Sequence, residues 1–153
     1  MASSACPECG RPARRVALRT VKAMLTGLAL RRLRPHDDFR FCGSAECDVV
    51  YFSSEQTFRV TDVRERVFQK DPSGDAPVCY CFDWTQASLV AAAGRGIRPD
   101  EEIEGHVREG RCACDLRNPQ GACCLGNVKA VLAQVREGSS DPRGPARREF
   151  GRI

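Results

Sequence analysis

Val78-Cys79-Tyr80-Cys81-Phe82-Asp83-Trp84-Thr85 decides how this chain is read, because it is answered later by Arg111-Cys112-Ala113-Cys114 and then by Ala122-Cys123-Cys124-Leu125. Six cysteines in two clumps, separated by a segment of helical pattern, have the distribution of a metal-cluster nest. In an extended segment alternate side chains point the same way, so the sulfurs of Cys79 and Cys81 are expected to face one object. Asp83 or Thr85 suits the N-cap of a helix through Gln86-Ala87-Ser88-Leu89-Val90-Ala91-Ala92. A second helix is predicted at the other clump, where Cys124-Leu125-Gly126-Asn127-Val128-Lys129-Ala130-Val131-Leu132 sets apolar residues three and four apart. Two helix N-termini would then converge on the sulfurs. Their positive ends and free N–H groups suit the negative charge that four thiolates leave on a [2Fe–2S] core.

The 153 residues fit one ordinary domain or two small ones, and the chain carries ten cysteines. Clustered thiols at that density serve either a disulfide scaffold or metal. The start of the chain has no basic segment followed by an apolar run, and Ala23–Leu30 is short and flanked by charge, so no secretory signal is expected. No apolar stretch approaches the roughly 20 residues a bilayer requires. A reducing, cytoplasmic setting follows as an expectation, and with it metal rather than disulfides. The net charge is +4, concentrated between Arg11 and Arg40, where it could attract nucleic acid or an acidic partner. A solvated face whose arginine stems cover apolar surface is the favoured account of that run, so nucleic acid is not the expected partner.

Working outward, Cys6-Pro7-Glu8-Cys9-Gly10 has the spacing of a zinc knuckle, with a glycine that lets the backbone turn around the metal. Its partner is Cys42-Gly43-Ser44-Ala45-Glu46-Cys47, and Cys6, Cys9, Cys42 and Cys47 are the candidate zinc ligands. Between the pairs we expect a strand at Arg15–Leu18 and a helix capped by Thr20, with Val21, Met24, Leu25 and Leu28 on one face. Phe39–Phe41 alternates like a strand, and Asp48–Phe52 reads as a buried one. His36 and His106 have no cysteine partner at useful spacing and are read as surface residues. Residues 1–70 form the expected zinc-binding lobe, with little core of its own. Asp71-Pro72-Ser73-Gly74-Asp75-Ala76-Pro77 is rich in breakers and is the candidate linker, 71–77. Residues 78–137 form the expected [2Fe–2S]-binding lobe, with helices near 85–94, 99–109 and 124–137. Glycines at 94, 96 and 110 act as stops. Residues 138–153 have almost nothing to bury and are expected to be disordered. The fold class is therefore α+β: a small zinc-nucleated strand-helix-strand lobe followed by a small helical lobe.

A [2Fe–2S] cluster needs four thiolates and the second lobe offers six. Cys79 and Cys81 are the first two. One of Cys112 and Cys114 is required, and only one of the adjacent Cys123 and Cys124 readily faces inward. Cys79-Tyr80-Cys81, then Cys114, then Cys124 leading into a helix, resembles the bacterioferritin-associated ferredoxin type of [2Fe–2S] domain. Over most of the chain there is a closer resemblance. Cys-Pro-Glu-Cys at 6–9, Phe41-Cys42 with Cys47 and Val49-Val50-Tyr51-Phe52, Val78-Cys79-Tyr80-Cys81, and Cys114 followed by Asn118-Pro119 and Gly121-Ala122-Cys123-Cys124 resemble the N-terminal domain of the CopZ copper chaperone family.

That resemblance implies one zinc on Cys6, Cys9, Cys42 and Cys47, and one [2Fe–2S] cluster on Cys79, Cys81, Cys114 and Cys124. It also implies one-electron transfer linked to copper handling, with a redox partner or a copper-handling protein as partner. No Met-x-Cys-x-x-Cys loop or βαββαβ pattern follows in this sequence, so the family's copper-carrying domain is not expected within it. The alternatives are a soft-metal sensor or chaperone using the surplus thiols Cys112 and Cys123, since thiolates favour soft ions, and a zinc-ribbon nucleic-acid binder. No acid–base pair, activated nucleophile or phosphate loop stands out, so neither a hydrolytic nor a transfer enzyme is expected.

Overall fold

Val49-Val50-Tyr51-Phe52 forms a strand with all four side chains buried, as a β-branched and aromatic run does when both its faces are covered. The computed structural model of the chain describes residues 4–136, so the tail expected at 138–153 lies outside the described residues. Around that strand, β3, the chain builds an antiparallel sheet of order β1-β2-β3-β4. Its other members are β1 (Arg14–Arg15), β2 (Arg40–Phe41) and β4 (Thr57–Arg59). Register places Arg14 opposite Phe41, Phe41 opposite Tyr51, and Tyr51 opposite Phe58. The sequence reading did not anticipate β4, whose three residues are too few to show periodicity.

The helix expected from a Thr20 cap divides in two. α1 runs Leu18–Met24, with Thr20 fully buried inside it, and the chain turns extended at Leu25. Leu25 forms a bridge with Val63, and Thr26 then caps α2 (Gly27–Leu30) by accepting the Ala29 amide at 3.2 Å. The break rotates Leu28 away from the core, so it is 75% exposed instead of continuing the Val21–Met24 face. The expected lack of a core is also corrected. Val21, Met24, Phe41, Val50, Tyr51 and Phe58 are among the buried residues of a cluster separate from the cysteines.

After single 3₁₀ turns at Val60–Asp62 and Phe68–Lys70, residues 71–76 lead into β5 (Pro77–Cys79), which pairs with β6 (Trp84–Thr85). The strand ends at Cys79. Tyr80–Asp83 form a turn, so a turn, not strand alternation, places Cys81. Asp83 sits at φ 65, a left-handed conformation that short polar side chains tolerate best after glycine. Thr85 caps α3 (Gln86–Gly94), its hydroxyl accepting from the Ser88 amide while Ser88 Oγ accepts the Thr85 amide. α4 (Pro99–Arg108) opens on proline with Asp100, Glu101 and Glu102 in its first turn, where the missing N–H costs nothing and negative charge is favoured. The unanticipated α5 (Cys114–Arg117) precedes α6 (Leu125–Arg136). Val78, Leu89, Ile103, Val128, Val131 and Leu132 make the second core.

The segment from α5 to α6 is held by the first sheet and α1. Thr20 Oγ1 donates to the Asp115 carbonyl at 2.6 Å, Tyr51 Oη donates to the Pro119 carbonyl at 2.6 Å, and Arg19 pairs with Asp115 at 2.7 Å. Gly121 lets the backbone close on α1. At φ 71, a Cβ there would lie 2.9 Å from Val16 Cγ2 and 3.1 Å from Thr20 Oγ1. Gly121→Ala is expected to destabilise the metal-loaded protein by roughly 1–3 kcal/mol, through left-handed strain and overpacking together. Gly126→Ala, in α6 with nothing near the added carbon, is expected to gain up to about 1 kcal/mol from helix propensity. Chemical denaturation of the two variants checks both signs.

Candidate metal centres

The first cysteine pair sits in a tight turn. The Gly10 amide donates to the Cys6 carbonyl at 2.8 Å, and Cys6 N donates to the Arg11 carbonyl at 2.9 Å. The second pair follows β2, its entry set by the Cys42 amide on the Val50 carbonyl at 2.9 Å. The sheet thus carries both turns to one end, and the sulfurs of Cys6, Cys9, Cys42 and Cys47 all lie within 4.8 Å of one another. Cys6 Sγ is 3.8 Å from Cys47 Sγ, and Cys9 Sγ is 3.7 Å from Cys42 Sγ. Tetrahedral zinc with Zn–S bonds of about 2.3 Å sets sulfurs about 3.8 Å apart, so this spacing fits zinc directly.

Backbone amides point at these sulfurs. Cys9 accepts from Arg11, Cys42 from Ser44 and Cys47 from Val49, in each case the amide two residues on. Burial pushes the Cys42 thiol up to about 12. Cys9 is pulled down to about 7, because the Arg11 amide and its three thiol neighbours outweigh burial. Binding a divalent metal at such a site displaces the thiol protons. Lys70 Nζ stands over this site, donating to the carbonyls of Ser44 at 2.6 Å and Cys47 at 2.8 Å, 3.8 Å from Cys42 Sγ.

The second set draws on three segments of the chain. Cys81 Sγ is 3.6 Å from Cys114 Sγ, and Cys124 engages both Cys79 and Cys114. The Cys124 pKa is pushed up by hydrogen bonding with Cys114 and Cys79 and by burial. The same hydrogen bonding draws Cys114 down to about 6 and Cys79 down to about 7. Burial raises Cys81 to about 12. Amide donors come from the turn and the loop: Cys81 and Phe82 toward Cys79, Ala113 toward Cys81 at 3.1 Å, and Cys124 toward Cys114. The α3 N-terminus carries its own Thr85–Ser88 box, and just before α6 the Cys124 amide points at the Cys114 sulfur. Cys124 is buried, Cys123 is exposed and Cys112 is half-buried.

His36 is exposed. His106 is half-buried, stacked on Phe82 with centroids 4.6 Å apart, and Arg111 reaches its Nδ1 at 3.0 Å. Much of the basic run is engaged on the protein's own surface: Arg15 with Asp38, Arg19 with Asp115, Arg32 with Asp62, and Arg34 with Asp37. No helix among the described residues is long and apolar enough to cross a membrane. Lys70 and Tyr80 were missed from sequence, since neither spacing nor pattern marks a residue whose partners lie in another segment.

Residues 3–64 match the CopZ zinc-finger family, described as a zinc binding domain. Fold and four-sulfur geometry together define that stretch as a zinc-binding domain of CopZ type. The chain is 36% identical over 127 residues to the copper chaperone CopZ of Archaeoglobus fulgidus, across 82% of this chain and 60% of that protein. The X-ray structure of the Archaeoglobus fulgidus CopZ N-terminal domain matches with a TM-score of 0.69 at 31% identity, covering 82% of this chain and 95% of that one. The chain is thus a homologue of the CopZ N-terminal domain, and it spans 60% of the length of the chaperone it matches.

Because the hydrophobic core around Tyr51 lies apart from the four sulfurs, stripping zinc is expected to free residues 4–12 and 42–48 first. Hydrogen exchange after chelation should rise at those turns while the amides of β3 stay protected. Uniform loss of protection would show that the metal holds the whole sheet.

Proposed function

We propose that this chain is a zinc-stabilised, iron–sulfur electron-transfer protein linked to copper handling. On this reading Cys6, Cys9, Cys42 and Cys47 hold zinc, and Cys79, Cys81, Cys114 and Cys124 hold a [2Fe–2S] cluster. The observation that carries the second half is the converging set of four sulfurs with amides of Cys81, Phe82, Ala113 and Cys124 aimed at them. A four-thiolate donor set suits iron–sulfur ligation, and N–H donors offset the negative charge such a site accumulates. When bound, a [2Fe–2S] cluster supplies one-electron redox chemistry. Similarity to a protein named copper chaperone CopZ supports a copper ion as the acceptor. One electron converts Cu(II) to Cu(I), and a redox partner returns one electron to the chain.

The zinc site has a different task. Four protein thiolates leave zinc no open position for water or substrate, so its contribution is to the fold. The half-burial of Cys81 and Cys114 leaves the second site close to solvent, where a docked partner can exchange electrons with it. Within the fold, residues 4–70 form the zinc lobe and residues 78–136 the redox lobe, in contact through the α5–α6 segment.

Protein purified without oxygen is expected to be red-brown, with about two irons, about two sulfides and about one zinc per chain. Colourless protein carrying zinc alone would remove the cluster assignment. Serine at Cys79, Cys81, Cys114 or Cys124 is expected to abolish or badly perturb the visible spectrum, whereas Cys112→Ser and Cys123→Ser leave it nearly unchanged. Anaerobic reduction followed by Cu(II) should give one Cu(I) per electron, read with a Cu(I)-specific chelator. If that transfer is lost in the Cys112→Ser/Cys123→Ser double variant, these two thiols are the copper-binding groups.

A further inference from the structure

The turn Phe68-Gln69-Lys70 lies between the two cysteine sets, and every one of its residues reaches toward one or the other. Lys70 has three ammonium N–H groups, and three acceptors surround it: the Ser44 carbonyl, the Cys47 carbonyl and Cys42 Sγ. All three acceptors belong to the second zinc knuckle. Four thiolates on one divalent metal leave a net double negative charge, and a half-buried ammonium in contact with one of them offsets part of it.

At the other end, the Phe68 amide donates to Tyr80 Oη at 3.0 Å, and the Tyr80 hydroxyl donates to the Arg66 carbonyl. Tyr80 is the residue between Cys79 and Cys81, so its buried ring pins that turn to the segment that carries Lys70. Gln69 Nε2 donates to Gln120 Oε1 at 2.6 Å, and Gln120 Nε2 donates to the carbonyls of Ala122 and Cys123, immediately before Cys124. One short turn therefore has hold of the zinc knuckle and of both halves of the second cysteine set.

We propose that Lys70 is the counter-charge that sets the metal affinity of the four-cysteine site, and that its turn, gripped by Tyr80, carries the occupancy of that site to the second cysteine set. This rests on zinc at Cys6, Cys9, Cys42 and Cys47, and does not require iron at the second set. Lys70 is a positioning residue, outside the ligand shell, and Tyr80 is the far end of the same strap.

The test uses the full chain loaded with zinc alone. In competition with a chromophoric chelator, Lys70→Met is expected to bind zinc about ten- to a hundredfold more weakly, the usual loss when an outer partner of a metal ligand is removed. With cobalt(II) in place of zinc, the variant should keep the d–d bands of a tetrahedral four-thiolate site, while sulfur-to-cobalt charge transfer moves to lower energy. In the wild type, removing zinc should speed hydrogen exchange at the amides of Cys81 and Phe82 several-fold, with Ile103 in α4 as an unchanged reference. Tyr80→Phe should abolish that response. Zinc affinity within threefold of wild type with unshifted charge transfer, or loss of the d–d bands, would overturn the counter-charge role. Exchange at Cys81 and Phe82 that ignores zinc would overturn the strap. Wild-type chain that takes up no zinc would remove the zinc assignment and the role of Lys70 with it, an outcome distinct from either.

Discussion

Four sulfurs within 4.8 Å of each other are an arrangement the polypeptide does not favour by itself. Ionised, they repel; protonated and buried, they make poor use of their contacts. A divalent cation changes the sign of the interaction, and the binding energy it supplies goes into bringing the two turns together. The geometry of the first half follows from this. The short strands β1 and β2 hold the two pairs at one end of the sheet, and amides two residues beyond Cys9, Cys42 and Cys47 point at the sulfurs. In the second cysteine set too the backbone supplies N–H groups to the sulfurs.

The two halves are joined more closely than a breaker-rich stretch at 71–77 suggests. Thr20, Tyr51 and Gly121 tie the α5–α6 segment to α1 and β3, while Phe68, Gln69 and Lys70 reach both cysteine sets. A residue buried in one core therefore influences the position of sulfurs in the other half. Tyr51 is the clearest instance, its ring packed in the first core and its hydroxyl on the Pro119 carbonyl.

What the sequence made legible is what is encoded locally. The close pairing of Cys6 with Cys9, the apolar run Val49–Phe52 and the Thr85 cap each state their role within a few residues, and α3, α4 and α6 lie within two residues of the helices expected at 85–94, 99–109 and 124–137. What it hid depends on distant partners. Thr20 has the composition of a cap, yet it is buried in α1 because its hydroxyl bonds the carbonyl of Asp115. Leu28 continues a helical face only if the helix continues, and the bridge between Leu25 and Val63 ends it. Lys70 reads as one more surface cation until the knuckle carbonyls are in place around it. In the second cysteine set, spacing left Cys112 against Cys114 and Cys123 against Cys124 open. Burial separates the latter pair, with Cys124 inside and Cys123 outside.

The position of Gly121 against Val16 and Thr20 also bears on how the molecule is assembled during synthesis. The first four sulfurs are complete once Cys47 has left the ribosome, and the sheet needs only β4 beyond that. The second set waits for Cys124, and the segment bearing it must find a surface made by residues about a hundred positions earlier, a closure that is entropically slow. The nascent chain thus presents a finished α1 and β3 as a template before the last cysteines emerge, in keeping with N-terminal units folding first. Glycine at 121 keeps that late landing open, since any side chain there would meet a surface already set.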